Sequence, residues 1–434
     1  MAIFKYFPRI LFFLLFTWIS LIPLPLQCRF PVQLKIFFLT GFLFLWVKSG
    51  RSFFRNGDWS LWLWVAALSF NLYRAVFPVI AVSTYWDLVI PLIFIHYLIA
   101  ENFSKKEEFV FLARTICIFS LIVALWGLMD VLLRVNFLYE KFLTSPFYDN
   151  YKHVWPMRAI ATQFHAPPLG TYLIAGLPFS ILTLKQDRSL YKVLGVLGVI
   201  VIPVTAILTF SRGVFLSFFC VILLVLLFKK KMKWGLSIVI GLVIFTLFAE
   251  HLKYPFSKFG ANIFFIAGDG IFTSYRFERI QMLGRILADQ PLWGIGLQHV
   301  RPLFFSYFSG AELVEFDYKI MDNMYLTLAA ETGLVGLVTF FVFLGSMIAK
   351  GCRSFQGCRG NEVERVRLFY VGAGFLALLI NAAAYELFYW PSQYMLFCIY
   401  VGLIEAFSRG HALPAQAFGE GEPKPGNVAK VLSQ

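Results

Sequence analysis

The chain has 434 residues, of which 59% are hydrophobic, 19% aromatic and only 14% charged, and its mean hydropathy is +0.74. Soluble domains carry about 25% charged residues, so this composition excludes a soluble protein and indicates an integral membrane protein. The apolar runs reach the length of a membrane-spanning helix and lack the alternation typical of an outer-membrane barrel. We therefore expect an all-α fold, a polytopic transmembrane helical bundle.

The apolar runs predict about twelve spans. The first run is flanked by Lys5 and Arg9 and could be a signal peptide, but Pro23 and Pro25 occupy the place of a small-residue cleavage site, which indicates a transmembrane helix. The spans are predicted near residues 10–26, 33–47, 59–73, 86–100, 109–133, 169–184, 190–209, 213–228, 234–249, 323–349, 368–387 and 391–407.

The formal net charge of +14 is explained by topology rather than by a nucleic-acid partner. Alternate connections between the spans are rich in lysine and arginine, as in 229–233 and 353–367, whereas the short loops of the other side carry only Arg29, Lys35 and Arg74. Cytoplasmic loops have such an excess of positive charge. We therefore expect both termini in the cytoplasm, the lipid bilayer as a partner, and no nucleic acid.

This topology divides the chain into four parts and places two long loops, 134–168 and 250–322, on the outer face. The second is a large periplasmic loop expected to contain short amphipathic helices. The parts are N-terminal transmembrane helices (1–133), a core (134–349), C-terminal transmembrane helices (350–407) and a cytoplasmic tail of disordered composition (408–434).

Isolated polar residues in the first spans, such as Asn71 and Asp130, either contact other helices or line a site. The first long loop then ends in RAIATQFHAPPLG, from Arg158 to Gly170, where two prolines start a new helix. Arg158 is expected either at the lipid headgroups or against a phosphate. His165 is either structural or catalytic, with the structural role favoured.

The next motif is the Ser211-Arg212-Gly213 turn between two predicted spans. A guanidinium at a tight outer turn, beside a serine hydroxyl and a glycine that permits close approach, suits a pyrophosphate or a carboxylate. The alternative is an ordinary polar turn at the membrane interface.

In the large loop, Thr273 or Ser274 is a predicted N-cap for a helix that runs to about Asp289 and stops before proline. Arg276 and Arg279 are neighbours in its first turn, and free N–H groups beside a guanidinium make an anion site. The alternative is an amphipathic helix at the interface. Its apolar stripe, expected on the membrane or on the bundle, is Phe277, Ile280, Leu283 and Leu287.

The last motif is Asp322-Asn323-Met324-Tyr325, followed by Glu331 and two glycines. A carboxylate beside an amide can accept a hydroxyl proton as a general base. Gly333 and Gly336 allow close helix contact.

Taken in order, RAxxTxFxxP from Arg158, the SRG turn, YR…DxPLxGxG from Tyr275 and NxYLxxxxExGxxGL from Asn323 resemble the O-antigen ligase/O-antigen polymerase superfamily. The resemblance is strongest over 158–349. It implies a glycosyltransferase of the bacterial inner membrane, working on the periplasmic face without a cofactor or a metal. Its donor would be an undecaprenyl-pyrophosphate-linked glycan, and its acceptor a hydroxyl of lipid A-core or of a growing polysaccharide.

The resemblance also implies roles for residues. Arg212 and Arg276 would grip the donor pyrophosphate, and Asp322 stands where ligases have a histidine. That difference leaves ligase and polymerase open, and the acceptor-activating role rests on Asp322, moves to His165 or is absent. The expected catalytic residues are Asp322, Arg212 and Arg276, and the expected substrate-binding residues are Arg158, His165, Ser211, Arg279, Asn323 and Tyr325.

A second hypothesis is a polytopic transporter or flippase of lipid-linked glycans. It predicts paired broken helices and charged residues at mid-membrane. The charged motifs of this chain gather at one face instead, which favours the glycosyltransferase.

Overall fold

The structure, a computed structural model, describes residues 2–22, 40–41, 58–137, 158–185, 189–229, 275–308, 319–358 and 360–412. These residues form α-helices and two short 3-10 helices, Ala161–Gln163 and Leu387–Tyr389, and contain no strand. The α-helices are α1 (Ala2–Leu21), α2 (Trp59–Tyr73), α3 (Pro78–Asn102), α4 (Lys106–Leu133), α5 (Ala166–Leu184), α6 (Ser189–Ile207), α7 (Arg212–Phe228), α8 (Tyr275–Asp289), α9 (Phe304–Tyr307), α10 (Met324–Gly357), α11 (Glu362–Ala382) and α12 (Pro391–Ala412).

Five of the described helices, α3, α4, α5, α6 and α10, are long and apolar enough to cross a membrane. Helices α1 and α7 are apolar over a shorter length. The chain is therefore a multi-pass, all-helical membrane protein, as its composition predicts. The predicted span 234–249, and all of the predicted span 33–47 except residues 40–41, lie outside the described residues, and the total of twelve spans stays a prediction.

Helix α5 lies at the centre of the bundle and packs on α4, α6, α11 and α12. Almost every one of its residues is buried, including Tyr172 and Phe179. A helix that is apolar all round is expected in such a position. Helix α10 packs on α2, α11 and α12, and α8 packs on α10. The arrangement brings the starts of α5, α7, α10 and α12 to one end of the bundle, which we call the site end.

A chain of ion pairs joins four elements near the opposite end of α10. Lys350 Nζ lies 2.9 Å from Asp58 Oδ2 and 2.6 Å from Glu405 Oε2. Arg409 pairs with Glu405 at 2.9 Å and also with Glu101. Asp58 and Glu405 are almost completely buried, so the two basic side chains compensate carboxylates that water does not reach.

The predicted span 368–387 is wrong at its end, because α11 stops at Ala382. The N–H of Ala384 turns back to the Asn381 carbonyl at 2.8 Å, and α12 begins only at Pro391. Proline disfavours a helical conformation for the residue before it, which explains why one helix does not run through. Residues 383–390, which we call the connector, thus contain Glu386 outside any α-helix.

Candidate active site

Helix α10 is broken at Gly333, whose φ of 64° and ψ of −167° are non-helical. The two N–H groups that follow the break do not bond within the helix. Leu334 N donates to the Pro291 carbonyl at 2.9 Å, and Val335 N donates to the Leu292 carbonyl at 3.1 Å. The segment after α8 therefore satisfies backbone donors that the break has freed.

The same segment also uses the acceptors that the break has freed. Ile295 N donates to the Ala330 carbonyl at 3.0 Å, and Gly296 N donates to the Glu331 carbonyl at 2.9 Å. A Cβ on Gly294 would lie 2.4 Å from the Ala330 oxygen. The glycines of PLWGIG and of the ExG motif thus allow the backbones of the two motifs to lie in direct contact.

Asn71, near the end of α2, fastens this junction. Its amide nitrogen donates to the Trp293 carbonyl at 2.7 Å and to the Glu331 carbonyl at 2.9 Å, while its oxygen accepts from Leu297 N at 3.1 Å. The Trp293 ring packs on Phe70 with centroids 4.2 Å apart. Of the two roles expected for Asn71, the contact with other elements is the one that the structure shows.

Arg158 packs against the turn that leads to Ser211. Its Nε donates to the Thr209 carbonyl at 2.7 Å, and Nη2 lies 3.5 Å from the Phe210 carbonyl. Ser211 is the N-cap residue of α7, its side chain makes no capping bond, and Arg212 is the first helical residue. The structure therefore brings the first two predicted motifs together.

Asp130, at the end of α4, positions the chain that follows Arg158. Its Oδ2 accepts from Ala161 N at 2.6 Å, from Ile160 N at 3.3 Å and from the Asn136 amide at 3.1 Å. The buried carboxylate thus holds a short 3-10 turn against the bundle.

The connector joins the SRG turn to the last motif. A Cβ on Gly213 would lie 2.4 Å from the Ala384 Cβ, so the first turn of α7 approaches the connector too closely for a side chain. One residue earlier, the Ala383 carbonyl accepts from the Asn323 amide at 2.9 Å. Gly213 and Asn323 therefore contact consecutive residues, although they are far apart in the sequence.

His165 also contacts the connector. Its ring centroid lies 5.3 Å from that of Tyr385 and 5.8 Å from that of Trp390. Desolvation in this aromatic setting, together with the charge of Arg158, lowers the pKa of His165 to about 3. The imidazole is therefore neutral at physiological pH, and it is a poor proton acceptor.

Asn323 and Tyr325 use their polar atoms within the fold. Asn323 Oδ1 accepts from Tyr325 N at 2.9 Å and from Leu326 N at 3.2 Å, which makes Asn323 the N-cap of α10. The Tyr325 hydroxyl donates to the Leu379 carbonyl at 2.8 Å. These contacts fix the start of α10 beside the connector; the binding of substrate by either residue stays a prediction.

Helix α8 spans Tyr275–Asp289, as its sequence predicts. Arg279 is fully buried, donates to the Ile320 carbonyl and lies over the Phe304 ring, 4.5 Å from its centroid. It therefore fastens α8 to the residues just before Asp322. Its predicted role in binding substrate stays untested, and the side chain of Arg276 lies outside the described part of the structure.

The apolar stripe predicted on α8 does not form its buried face. Phe277 and Ile280 are about half exposed, whereas Met282 and Ile286 are buried. Of the two places expected for the stripe, Phe277 and Ile280 do not pack on the bundle, and contact with the membrane stays a prediction. Arg279 stacks on phenylalanine and takes the inward position, and the helix turns accordingly.

Two buried carboxyl groups lie at the same end: Glu331 belongs to the last motif, and Glu386 lies outside every motif. Glu386 of the connector accepts from Met321 N at 3.1 Å and from the Thr327 hydroxyl at 2.8 Å. Glu331 accepts from the Tyr389 hydroxyl, also in the connector. The only sequence signal for Glu386 is its place inside a predicted span. An acidic side chain there is energetically costly, so it often has a function.

Asp322 lies between these groups and the surface. Its side chain is half-buried, and its φ of 52° is in the left-handed region, which a non-glycine residue rarely adopts. Glu386 holds the backbone on one side through Met321, and Asn323 begins α10 on the other. Such strain is often kept at functional sites.

Residues 173–341 match the family model described as O-antigen ligase. The match includes the SRG turn, all of α8, Asp322 and the Gly333 break. Arg158 and the connector lie outside it. A comparison with curated proteins gave no match. Residues 173–341 are thus similar to the O-antigen ligase family, in agreement with the resemblance read from the motifs.

Proposed function

We propose that the protein is a glycosyltransferase that passes a glycan from undecaprenyl pyrophosphate to an acceptor hydroxyl during synthesis of a cell-surface polysaccharide. It would lie in the inner membrane with both termini in the cytoplasm and its site on the periplasmic face. The observation that carries this proposal is the convergence of Arg158, the SRG turn and the Asp322-Asn323 motif at one end of the bundle, around the connector.

The arginines account for the donor half of the reaction. The bond from the anomeric carbon to the phosphate oxygen breaks, and its electron pair leaves with the diphosphate. Preorganised guanidinium groups stabilise the charge that develops there. Arg212, in the first turn of α7, and Arg276, in the first turn of α8, would bind the diphosphate, with Arg158 beside the SRG turn.

Asp322 accounts for the acceptor half. The acceptor oxygen forms the new bond to the anomeric carbon, and its proton passes to the Asp322 carboxylate. The low pKa of His165 argues against the imidazole as the alternative base. His165 would instead form part of the wall of the site, between Arg158 and the aromatic rings of the connector.

The test is reconstitution in vesicles with undecaprenyl-pyrophosphate glycan and, in separate reactions, lipid A-core or a second lipid-linked glycan as acceptor. Product mass then distinguishes ligase from polymerase. We expect Arg212→Ala and Arg276→Ala to lose transfer at normal protein levels, while Arg353→Ala, at an exposed position near the opposite end, transfers normally.

Full transfer by both variants would overturn the proposal. Movement of the lipid-linked glycan across the vesicle without a new glycosidic bond would instead support the transporter hypothesis. The break in α10 does not favour a transporter, because its free backbone groups are occupied by the segment from Pro291 to Gly296 rather than left facing a cavity.

A further inference from the structure

Glu386 is buried directly beneath the turn that carries Asp322. Only 3% of Glu386 is exposed, and its Oε1 accepts from Met321 N at 3.1 Å and from the Thr327 hydroxyl at 2.8 Å. Met321 is the residue before Asp322, so the two carboxyl groups belong to one small cluster. Glu386 lies too deep to reach an acceptor sugar.

An aspartate alone is a weak base for a sugar hydroxyl, since its reference pKa is about 3.9. Burial or a neighbouring negative charge raises the pKa of a carboxyl group. Asp322 is half-buried. The carboxyl group of Glu386 bonds to the residue before it and lies close enough to interact with its charge.

Other groups near Glu386 decide whether it carries that charge. The pKa of Glu386 is raised, chiefly by burial and also by the charge of Asp322, while the hydrogen bonds from Met321 and Thr327 and the charge of Arg301 act in the opposite direction. On α10, Glu331 lies close enough to interact with Glu386, and it is bonded to the Tyr389 hydroxyl. The described groups that face Glu386 are thus one guanidinium, two carboxyl groups and one phenol.

We propose that Glu386 is a positioning residue for Asp322: through Met321 N it holds Asp322 in its left-handed conformation, and it places a negative charge that makes the Asp322 carboxylate a stronger base. The inference rests on the proposed function, because it concerns the proton that the acceptor hydroxyl loses. Glu386 itself touches neither substrate.

The test is the pH profile of kcat for transfer by Glu386→Gln. Glutamine keeps an oxygen that accepts from Met321 and Thr327 but removes the charge. Because the ionised form of Asp322 is the active one, activity falls as pH drops through its pKa. We expect the acidic limb of the variant to move to lower pH by about 1 unit. We also expect a lower kcat on the plateau and an unchanged KM for the donor.

Glu362→Gln, at an exposed site at the start of α11, is the matched control, and its profile should equal that of the wild type. Glu386→Asp keeps the charge on a shorter side chain, so its acidic limb should stay at the wild-type pH while kcat falls. If Glu386→Gln folds poorly, Glu386→Asp is still a test. An acidic limb of its kcat profile that lies at lower pH than that of the wild type would overturn the proposal.

An acidic limb of Glu386→Gln that coincides with the wild-type limb would also overturn the proposal. Asp322→Asn separates that failure from a failure of the proposed function. If Asp322→Asn loses transfer while Glu386→Gln keeps the wild-type profile, Asp322 remains the base and only the role of Glu386 is wrong. Full transfer by Asp322→Asn would overturn the assigned base and, with it, this inference.

Discussion

Gly333 of α10 lies against the backbone of Leu292, so closely that a Cβ on Gly333 would be 2.3 Å from the Leu292 carbonyl oxygen. Its φ of 64° also disfavours any other residue. We expect Gly333→Ala to lower the free energy of unfolding by about 1–3 kcal/mol from backbone strain alone. The clash of the new Cβ with the Leu292 carbonyl adds to this loss. Thermal unfolding in detergent measures the effect.

Gly345 is the matched control for this prediction, because it lies on the same helix and a Cβ there meets nothing within 4 Å. Alanine is about 1 kcal/mol more favourable than glycine inside a helix. Gly345→Ala should therefore unfold at or above the wild-type Tm. Equal Tm values for the two variants would contradict the structural role of the break.

Asn71→Leu should loosen the same junction from the side of α2. The substitution removes three hydrogen bonds to backbone groups, and each buried group left unsatisfied costs about 1–3 kcal/mol. Asn102→Leu is the control, because the amide of Asn102 donates only to the Leu98 carbonyl of its own helix among its described contacts. We expect a lower Tm for Asn71→Leu alone, and a similar loss in both variants would refute the role of Asn71.

The lowered pKa of His165 predicts a pH dependence of stability. The unfolded imidazole has a pKa of about 6.5, and the folded one about 3. Between these values the unfolded chain binds a proton that the folded chain does not, so stability falls as pH drops, by about 1.4 kcal/mol per unit. His165→Phe should lose less stability than the wild type between pH 6.5 and 4. Parallel Tm curves for the two proteins would contradict the lowered pKa of His165.

Lys350→Met should destabilise the bundle at the end opposite the site. It leaves the buried carboxylates of Asp58 and Glu405 without their shared cation, and breaking a buried pair costs about 3–5 kcal/mol. Arg353→Met, one turn further along α10 at an exposed position, is the control and should change Tm little. Equal effects of the two substitutions would show that the ion pairs contribute nothing measurable.

Local signals account for what could be predicted from the sequence. The predicted span 323–349 begins within one residue of α10, and the end of α8 at Asp289 follows from the proline two residues later. The contact between Arg158 and the SRG turn could be expected only because the predicted topology places both on the outer face of the membrane. Each of these inferences uses residues close in the chain or the rule for membrane topology.

The connector could not be predicted in the same way, because its partners are distant in the chain. Glu386 bonds to a residue 65 positions away, and Tyr389 to one 58 positions away. This stretch is nearly as apolar as a span, so hydropathy alone extends the predicted span to residue 387, five residues beyond the end of α11. The inward position of Arg279 on α8 could not be predicted for a similar reason, since its partners Phe304 and Ile320 are distant in the chain.

The exchange of backbone hydrogen bonds between the PLWGIG segment and the break in α10 has a practical consequence for chimeric proteins. Four bonds run between residues 291–296 and residues 330–335, two in each direction, and Asn71 contacts both partners. In a chimera that takes only one of these segments from a relative, the two segments no longer match. A loss of activity would then reflect the broken junction rather than a change in acceptor choice. Segments exchanged together, with position 71 matched, would transfer specificity without that confounding loss.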